Sequence, residues 1–406
     1  MNVRYRLARW LLRGIHPRDP ALADWLGLAN QTAAGVSVTA ESAMRIAAVY
    51  SCIRVLAETL ASLPLILYRR KNGGGKERAT DHWLYPVLHG APNDWMTSFG
   101  WREMKMAHLC LRGIAYSRIV GDGRGRRQLV PLHPDRVRAT LIDGRLVYDV
   151  MLKNGGTLVL LQDEMLRIPF MTLDGVTPIT PIQAQRETLG AALGAVEYGA
   201  RFWVNDARPS GGWLETEGAF KDEEAQKKFQ DSWQKSMTGE NRHKTPILPR
   251  GMKYHPLSLS MEDAQFLETR KLHRAEIAGI WRVPPHMIAD LERSTNNNIE
   301  HQSIDFVVHT MRPWLVRWEQ ELSRGLLTEA EQEKFFAEFL VDGLLRGDAA
   351  ARANYFRTAV LTGWMNRNEV REIENMNHAD GLDDFLTPLN MTPTDLLVES
   401  IKDKLQ

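Results

Sequence analysis

Apolar residues recur at helical spacing early in the chain. Ile46, Val49, Tyr50, Ile53, Leu56, Ala57 and Leu60 fall three and four positions apart, which predicts a helix with one buried face. Thr39 or Ser42 can cap its start, and Pro64 stops it. The following LPLILYRR reads as a strand, and Asn72-Gly73-Gly74-Gly75 as a hairpin-type turn. A second helix is expected over about 97–111, then a strand over 114–120. From 113 to 170 short strands (QLVPL, RVRATL, RLVYDVML, TLVLL, MLRIPF) alternate with turn signals at Asp122-Gly123, Asp143-Gly144 and Asn154-Gly155-Gly156.

At Pro181 the pattern changes. Residues 181–205 predict one helix of roughly 25 residues, on the order of 37 Å long. Its small residues Ala184, Gly190, Ala191, Ala192, Gly194, Ala195, Gly199 and Ala200 permit close helix approach, and so much glycine calls for packed neighbours. A compact insert over about 207–257 follows. It comprises a strand (GGWLE), a helix with Asp222, Glu223 and Glu224 at its start and Lys235 near its end, a turn at Gly239 and a strand (TPIL). Acids first and a base last suit the helix dipole. Ser260 with Asp263 fits a helix-start signature, and that helix ends at Pro284-Pro285. A polar loop, 286–298, leads to a third long helix over about 299–325, which Pro313 should kink. The remainder, 328–406, reads as mostly helical, with breaks at Gly343, Gly347, Gly363, Gly381 and Pro388.

Composition narrows the function classes. The chain has 406 residues, 44% hydrophobic and 25% charged, as expected of a folded protein with a sizeable core. Its net charge of +1 lacks the strongly basic balance of a duplex-DNA grip, so any contact with DNA should be loose. Cys52 and Cys110 lie in apolar helical stretches and read as small buried hydrophobes, with no disulfide framework or zinc site. No run of 18 apolar residues is present, so stable membrane insertion is not expected. The N-terminal arm mixes Arg4, Arg6, Arg9 and Arg13 with Val3, Tyr5, Leu7, Trp10, Leu11 and Leu12. It could lie on a membrane surface or target the chain, but reads best as a frayed or partner-docked arm.

Catalytic signatures are lacking. There is no P-loop, H-E-x-x-H, G-x-S-x-G or C-x-x-C, and the twelve histidines are scattered. The glycines of GDGRGR (121–126) follow a strand, but another strand follows where a phosphate-binding helix should open, so a hairpin turn is the better reading. No catalytic residue, metal site or cofactor is assigned.

Four blocks carry a family resemblance. They are AAVYSCIRVLAETLASLPLILYRR; RPSGGWLE after a long helix; LSLSMEDAQFLETRKLHRAEIAGIWRVPPHMIADLERSTNNNIEHQSIDFVVHTMRPWL; and GWMNRNEVREIENMNHADGLDDFLTPLNM. In this order, over about 40–392, the chain resembles the portal proteins of HK97-like (lambda-like) siphophages. Trp281 departs from the family's usual Phe, and Asp380-Gly381-Leu382-Asp383 from its usual Gly-Gly-Asp.

The resemblance implies an α+β, ring-forming portal fold of twelve subunits at one capsid vertex of the virion. Its parts would be an arm (1–40), a mixed α/β wing (41–180), a first stem helix (181–206), a small α/β clip insert (207–258), a second stem helix (259–284), a tunnel loop (285–298), a long kinked helix toward the wing (299–327) and a helical crown (328–406). Double-stranded DNA would pass through the ring during packaging and ejection. Implied partners are further copies of the chain, the terminase large subunit, a head–tail adaptor and the major capsid protein or scaffold, with assembly in the host bacterial cytoplasm.

On that plan Arg293, Ser294, Thr295, Asn296, Asn297 and Asn298 of the tunnel loop face DNA, where weak, exchangeable hydrogen bonds would confine a polyanion without trapping it. Arg270, Lys271 and Arg274 of the second stem helix face DNA or pair with acids of the next subunit. Glu268 and Glu276 keep that helix near charge balance, which favours pairing. Lys227, Lys228, Trp233 and Lys235 of the clip helix are the docking candidates. Trp281, Trp314 and Trp318 suit burial in a ring interface or in the subunit's own core.

Overall fold

The computed structural model describes residues 32–71, 75–121, 127–204, 212–216, 218, 220–237, 248, 251–256, 262–290, 302–341, 349–374 and 376–386. They divide into two compact units, with boundaries between Ser62 and Leu63, Ile66 and Leu67, and Ala337 and Glu338.

The first unit opens with helical layers. Thr39 and Ser42 cap each other reciprocally, but over a separate one-turn helix, Ala40–Ala43. The long helix α1 starts later, Ala47–Ser62, and buries Val49, Cys52, Ile53, Leu56, Ala57, Leu60 and Ala61. Tyr50, expected on that face, is 49% exposed, because the buried stripe runs one position to its side. Strands β1 (Leu65–Arg70) and β2 (Lys76–Arg78) pair antiparallel. Helix α2 (Ser98–Arg112) is capped by Thr97 and packs against α1. It ends at Gly113, whose φ of +70° closes the helix in the left-handed region. A Cβ there would lie 2.3 Å from the Ile179 carbonyl oxygen, so only glycine lets the chain pass.

Two three-stranded antiparallel sheets follow. The first has the order β4 (Arg127–Leu132), β3 (Ile114–Gly121), β8 (Met165–Pro169). The second has the order β5 (Val137–Ile142), β6 (Arg145–Met151), β7 (Thr157–Leu161). Alternation along β3 sends Ser117 to the α2 side, where it accepts a hydrogen bond from Trp101 Nε1 at 3.2 Å. Ile114 and Tyr116 point the other way, into a core shared with Leu146, Tyr148, Val150, Leu160 and Met165. The layers are therefore helices, sheet β4-β3-β8, then sheet β5-β6-β7. Gly121 pairs with Arg127, so strands flank the glycine run; residues 122–126 lie outside the described residues.

Beyond the sheets the predicted single helix is broken at Gln185 into Pro181–Ala184 and α3 (Arg186–Val204). Strand β9 (Gly212–Thr216), helix α4 (Glu223–Met237) and strand β10 (Met252–Pro256) make the insert. The partner of β9 is thus β10; TPIL contributes no strand at Leu248, and 245–247 lie outside the described residues. Helix α5 (Glu262–Trp281) is followed by a short 3-10 turn, Pro285–Ile288. The Ser260 cap lies outside the described residues.

The predicted third helix is not uniform. Residues Phe306–Met311 form a π-helical turn, and Pro313 then sits in the first turn of α6 (Arg312–Leu326). Proline lacks the N–H that would bond back to residue 309, and the wider turn absorbs the gap. Helix α6 packs on β8, with Trp314 stacked on Phe170 at 5.1 Å and Trp318 buried against Trp101.

Within 328–406, read as mostly helical, one element departs from that reading. Phe335–Phe339 form strand β11, which joins β1 and β2 in the order β11-β1-β2. An alternating, aromatic-rich run is a strand once a partner edge is available. In the second unit, α7 (Ala349–Leu361) and α8 (Arg367–Ile373) are helical. Asn366 and Glu369 cap the start of α8 reciprocally. Asn368, 1% exposed, then clamps the following loop. Its Nδ2 donates to Ala379 O (3.0 Å) and Asp383 Oδ1 (2.8 Å), and its Oδ1 accepts from Ala379 N (2.9 Å).

Candidate channel helices and docking surface

Helices α3 and α5 pack against each other. Leu189, Ala192 and Leu193 of α3 are buried, as are Ile277, Ala278 and Trp281 of α5. The small residues of α3 do permit close approach, but to the turn at 32–36: a Cβ at Gly190 would meet the Thr32 side chain at 2.5 Å, and one at Gly194 would contact Ala34 and Val36. Toward its C-terminal end α3 exposes Val196 and Tyr198.

The insert between the helices is closed at its base. Strand β9 follows α3 and β10 precedes α5, and their antiparallel register runs from Gly212↔Pro256 to Thr216↔Met252. The first residue of β9, Gly212, and the last of β10, Pro256, are therefore neighbours. Asp222 Oδ1 accepts from Ala225 N at 2.7 Å and so caps α4. Lys227 and Lys228 are exposed on α4, and Lys228 pairs with Glu224 at 2.7 Å. Trp233 is half-buried and tilts against Tyr254 at 5.7 Å. It is an anchor of the insert as well as part of its surface. The Lys235 side chain lies outside the described residues.

On α5, Lys271 and Arg274 are exposed, and His273 lies 3.3 Å from Glu276. The Arg270 side chain lies outside the described residues, as do Arg293, Ser294, Thr295, Asn296, Asn297 and Asn298. The base of their loop is described. His286 Nδ1 lies 2.7 Å from Gln302 Oε1, a hydrogen bond that joins the two sides of the loop. Thr310 Oγ1 donates to Arg282 O at 2.7 Å beside it.

Trp281, Trp314 and Trp318 are all buried within the subunit, at 4%, 7% and 0% exposure, which decides for the core over a ring interface. Both cysteines are buried, and burial pushes the Cys52 thiol up to about 12 and that of Cys110 upward as well. A buried cation escaped the sequence reading. Lys105 of α2 is fully buried, donates to the Tyr116 carbonyl, and is pushed down to about 7 by desolvation. Its four-residue spacing from Trp101 and Leu109 is the signal that could have found it. Among the described residues no cluster of three or more His, Cys, Asp or Glu could hold a metal, and no helix is long and apolar enough to cross a membrane.

Comparison with known proteins follows the same outline. The family model described as phage portal protein matches residues 47–375. The chain is 32% identical over 395 residues to the probable portal protein of Streptomyces phage phiC31, covering 93% of this chain and 85% of that one. It is 27% identical over 365 residues to the portal protein of Enterobacteria phage HK97, covering 89% and 86%. In fold it matches a chain in the neck of a native gene transfer agent particle, computed with twelve-fold symmetry, at a TM-score of 0.53 and 20% identity, over 84% of this chain and 94% of that one.

Proposed function

Since the chain belongs to the phage portal protein family, a family of structural proteins, we propose that copies of it, twelve in the virion, close into a ring at one capsid vertex and that the phage genome enters and leaves through its axial hole. The observation that carries this reading is the pair of packed long helices, α3 and α5, with the strand-closed insert between them. Arranged around an axis, such pairs make a tube, and each insert extends it at one end.

A tube for DNA must guide a polyanion without gripping it, because each neutralised phosphate adds affinity that translocation must undo. The near-neutral chain and the loop residues Arg293 to Asn298, with their few charges and many amides, meet that demand. Arg270, Lys271 and Arg274 serve the ring by pairing with acids of the neighbouring subunit. The face of α4 with Lys227, Lys228, Trp233 and Lys235 docks the terminase large subunit during packaging and the head–tail adaptor afterwards. The capsid protein or scaffold meets the ring during head assembly in the host bacterial cytoplasm. The test is imaging of the purified chain: rings with an axial hole are expected, and a discrete closed particle without one contradicts the proposal.

A further inference from the structure

The sheet β5-β6-β7 carries apolar side chains on both faces, the outer one also holding Arg138, Arg145 and Asp149. One face, Leu146, Tyr148, Val150 and Leu160, fills the wing core. On the other, strand alternation places Thr140 and Ile142 of β5, Val147 and Met151 of β6, and Thr157, Val159 and Leu161 of β7. Ile142, Met151, Val159 and Leu161 are 51%, 57%, 56% and 59% exposed. An antiparallel sheet with one face in water normally turns polar residues outward. Together these four side chains leave on the order of 400 Å² of apolar surface on that face, about half of what one partner gives to a standard interface.

A second observation falls on the same place. Strand β7 is an edge of its sheet, and its sequence, TLVLL, has no charge and no proline. Soluble proteins protect exposed edges with such residues, so an unprotected apolar edge marks a contact.

The occupant follows from the layers. A head-to-tail ring joins two different surfaces on opposite sides of each subunit. The outer face of β5-β6-β7 is the far side of the three layers. On the helical side, at the start of α2, Trp95 and Phe99 stand 63% and 42% exposed. Asn93 fixes the turn that presents them, with its Nδ2 on Leu129 O at 3.0 Å and its Oδ1 accepting from Trp95 N at 3.2 Å. The charges are complementary. The sheet face carries exposed Arg138 and Arg145 with a half-buried Asp149, whereas exposed Asp94 and half-buried Glu103 flank the aromatic pair, and nearby Arg54 is paired with Glu58 at 2.6 Å. We infer that the outer face of β5-β6-β7 seats a second copy of this chain, receiving Trp95 and Phe99 of the next subunit in the ring. This rests on the ring reading above.

The test compares Leu161→Glu and Trp95→Ala with the wild type by sedimentation velocity, with circular dichroism melting as the check on folding. Each variant should lose its rings at least tenfold relative to wild type at equal concentration. An equimolar mixture of the two should give two-subunit particles, because each supplies the surface the other lacks. The milder Leu161→Thr, which keeps strand propensity, should weaken assembly to an intermediate degree. Folded variants that form rings as well as the wild type overturn the inference and leave the ring reading standing. So do variants that form rings but no longer bind the capsid protein, since the face would then belong to that partner. A wild type that forms no rings removes the ring reading and the inference with it.

Discussion

The indole of Trp101 meets that of Trp318 edge-on, with ring centroids 5.6 Å apart at 86° and both side chains sealed from solvent. The contact ties α2 to α6 and so joins the two helices inside one core. Trp318→Ala should cost about 3–5 kcal/mol, the range for emptying an aromatic core site, and Trp318→Phe distinctly less. Thermal melting of the two variants checks this, and equal melting of Trp318→Ala and wild type would refute the anchoring role.

Lys105 gives the fold a pH dependence of known sign. Burial lowers its folded value to about 7 from an ordinary 10.5. Between those values the unfolded chain binds more protons than the folded one, so stability rises with pH. The slope is at most roughly 1.4 kcal/mol per pH unit for one group. Below pH 9 the cysteines, whose unfolded value is 9.0, contribute little opposition. Lys105→Met should therefore stabilise the chain most near pH 7, and its advantage over wild type should shrink by pH 8.5. Melting curves across that range decide the matter, and a constant difference would contradict it.

Asn368 holds the loop of the second unit with an amide that both donates and accepts. Asn368→Ala removes three hydrogen bonds and should cost about 2–3 kcal/mol. Asn368→Asp keeps the shape but turns acceptors toward Ala379 O and Asp383, so it should destabilise at neutral pH and recover on acidification. Amide exchange over 377–383 is the readout. Unchanged protection in both variants would show that the loop stands without the clamp.

Deleting residues 290–297 should leave rings intact while impairing DNA packaging or retention. The base of the loop is closed by described residues, His286 with Gln302 and Thr310 with Arg282, so its removal spares the framework. Loss of ring assembly would mean that the loop is structural.

Much of the fold was legible because its signals are local. The stripe Val49, Ile53, Leu56, Leu60 and the alternating runs of β3 to β8 state their own periods. What was illegible depended on distant partners. Phe335–Phe339 became a strand because the edge of β1, more than half the chain earlier, was there to receive it. The break at Gln185 was not signalled locally, and the insert's second strand, Met252–Pro256, is defined by its pairing with the distant β9. At the candidate site, spacing put Lys227, Lys228 and Trp233 on one helix, but only the structure turned Trp233 toward Tyr254. The exposed Ile142, Met151, Val159 and Leu161 of β5-β6-β7 were hidden in plain alternation, since apolar residues on both sides of a strand do not say which face meets solvent.

Native mass measurement of the purified chain at micromolar concentration is the most direct trial of this account. It predicts a closed species many times the 46.2 kDa of one chain, twelve copies or a neighbouring number, and persisting on dilution. A species of 46.2 kDa at the same concentration would contradict it.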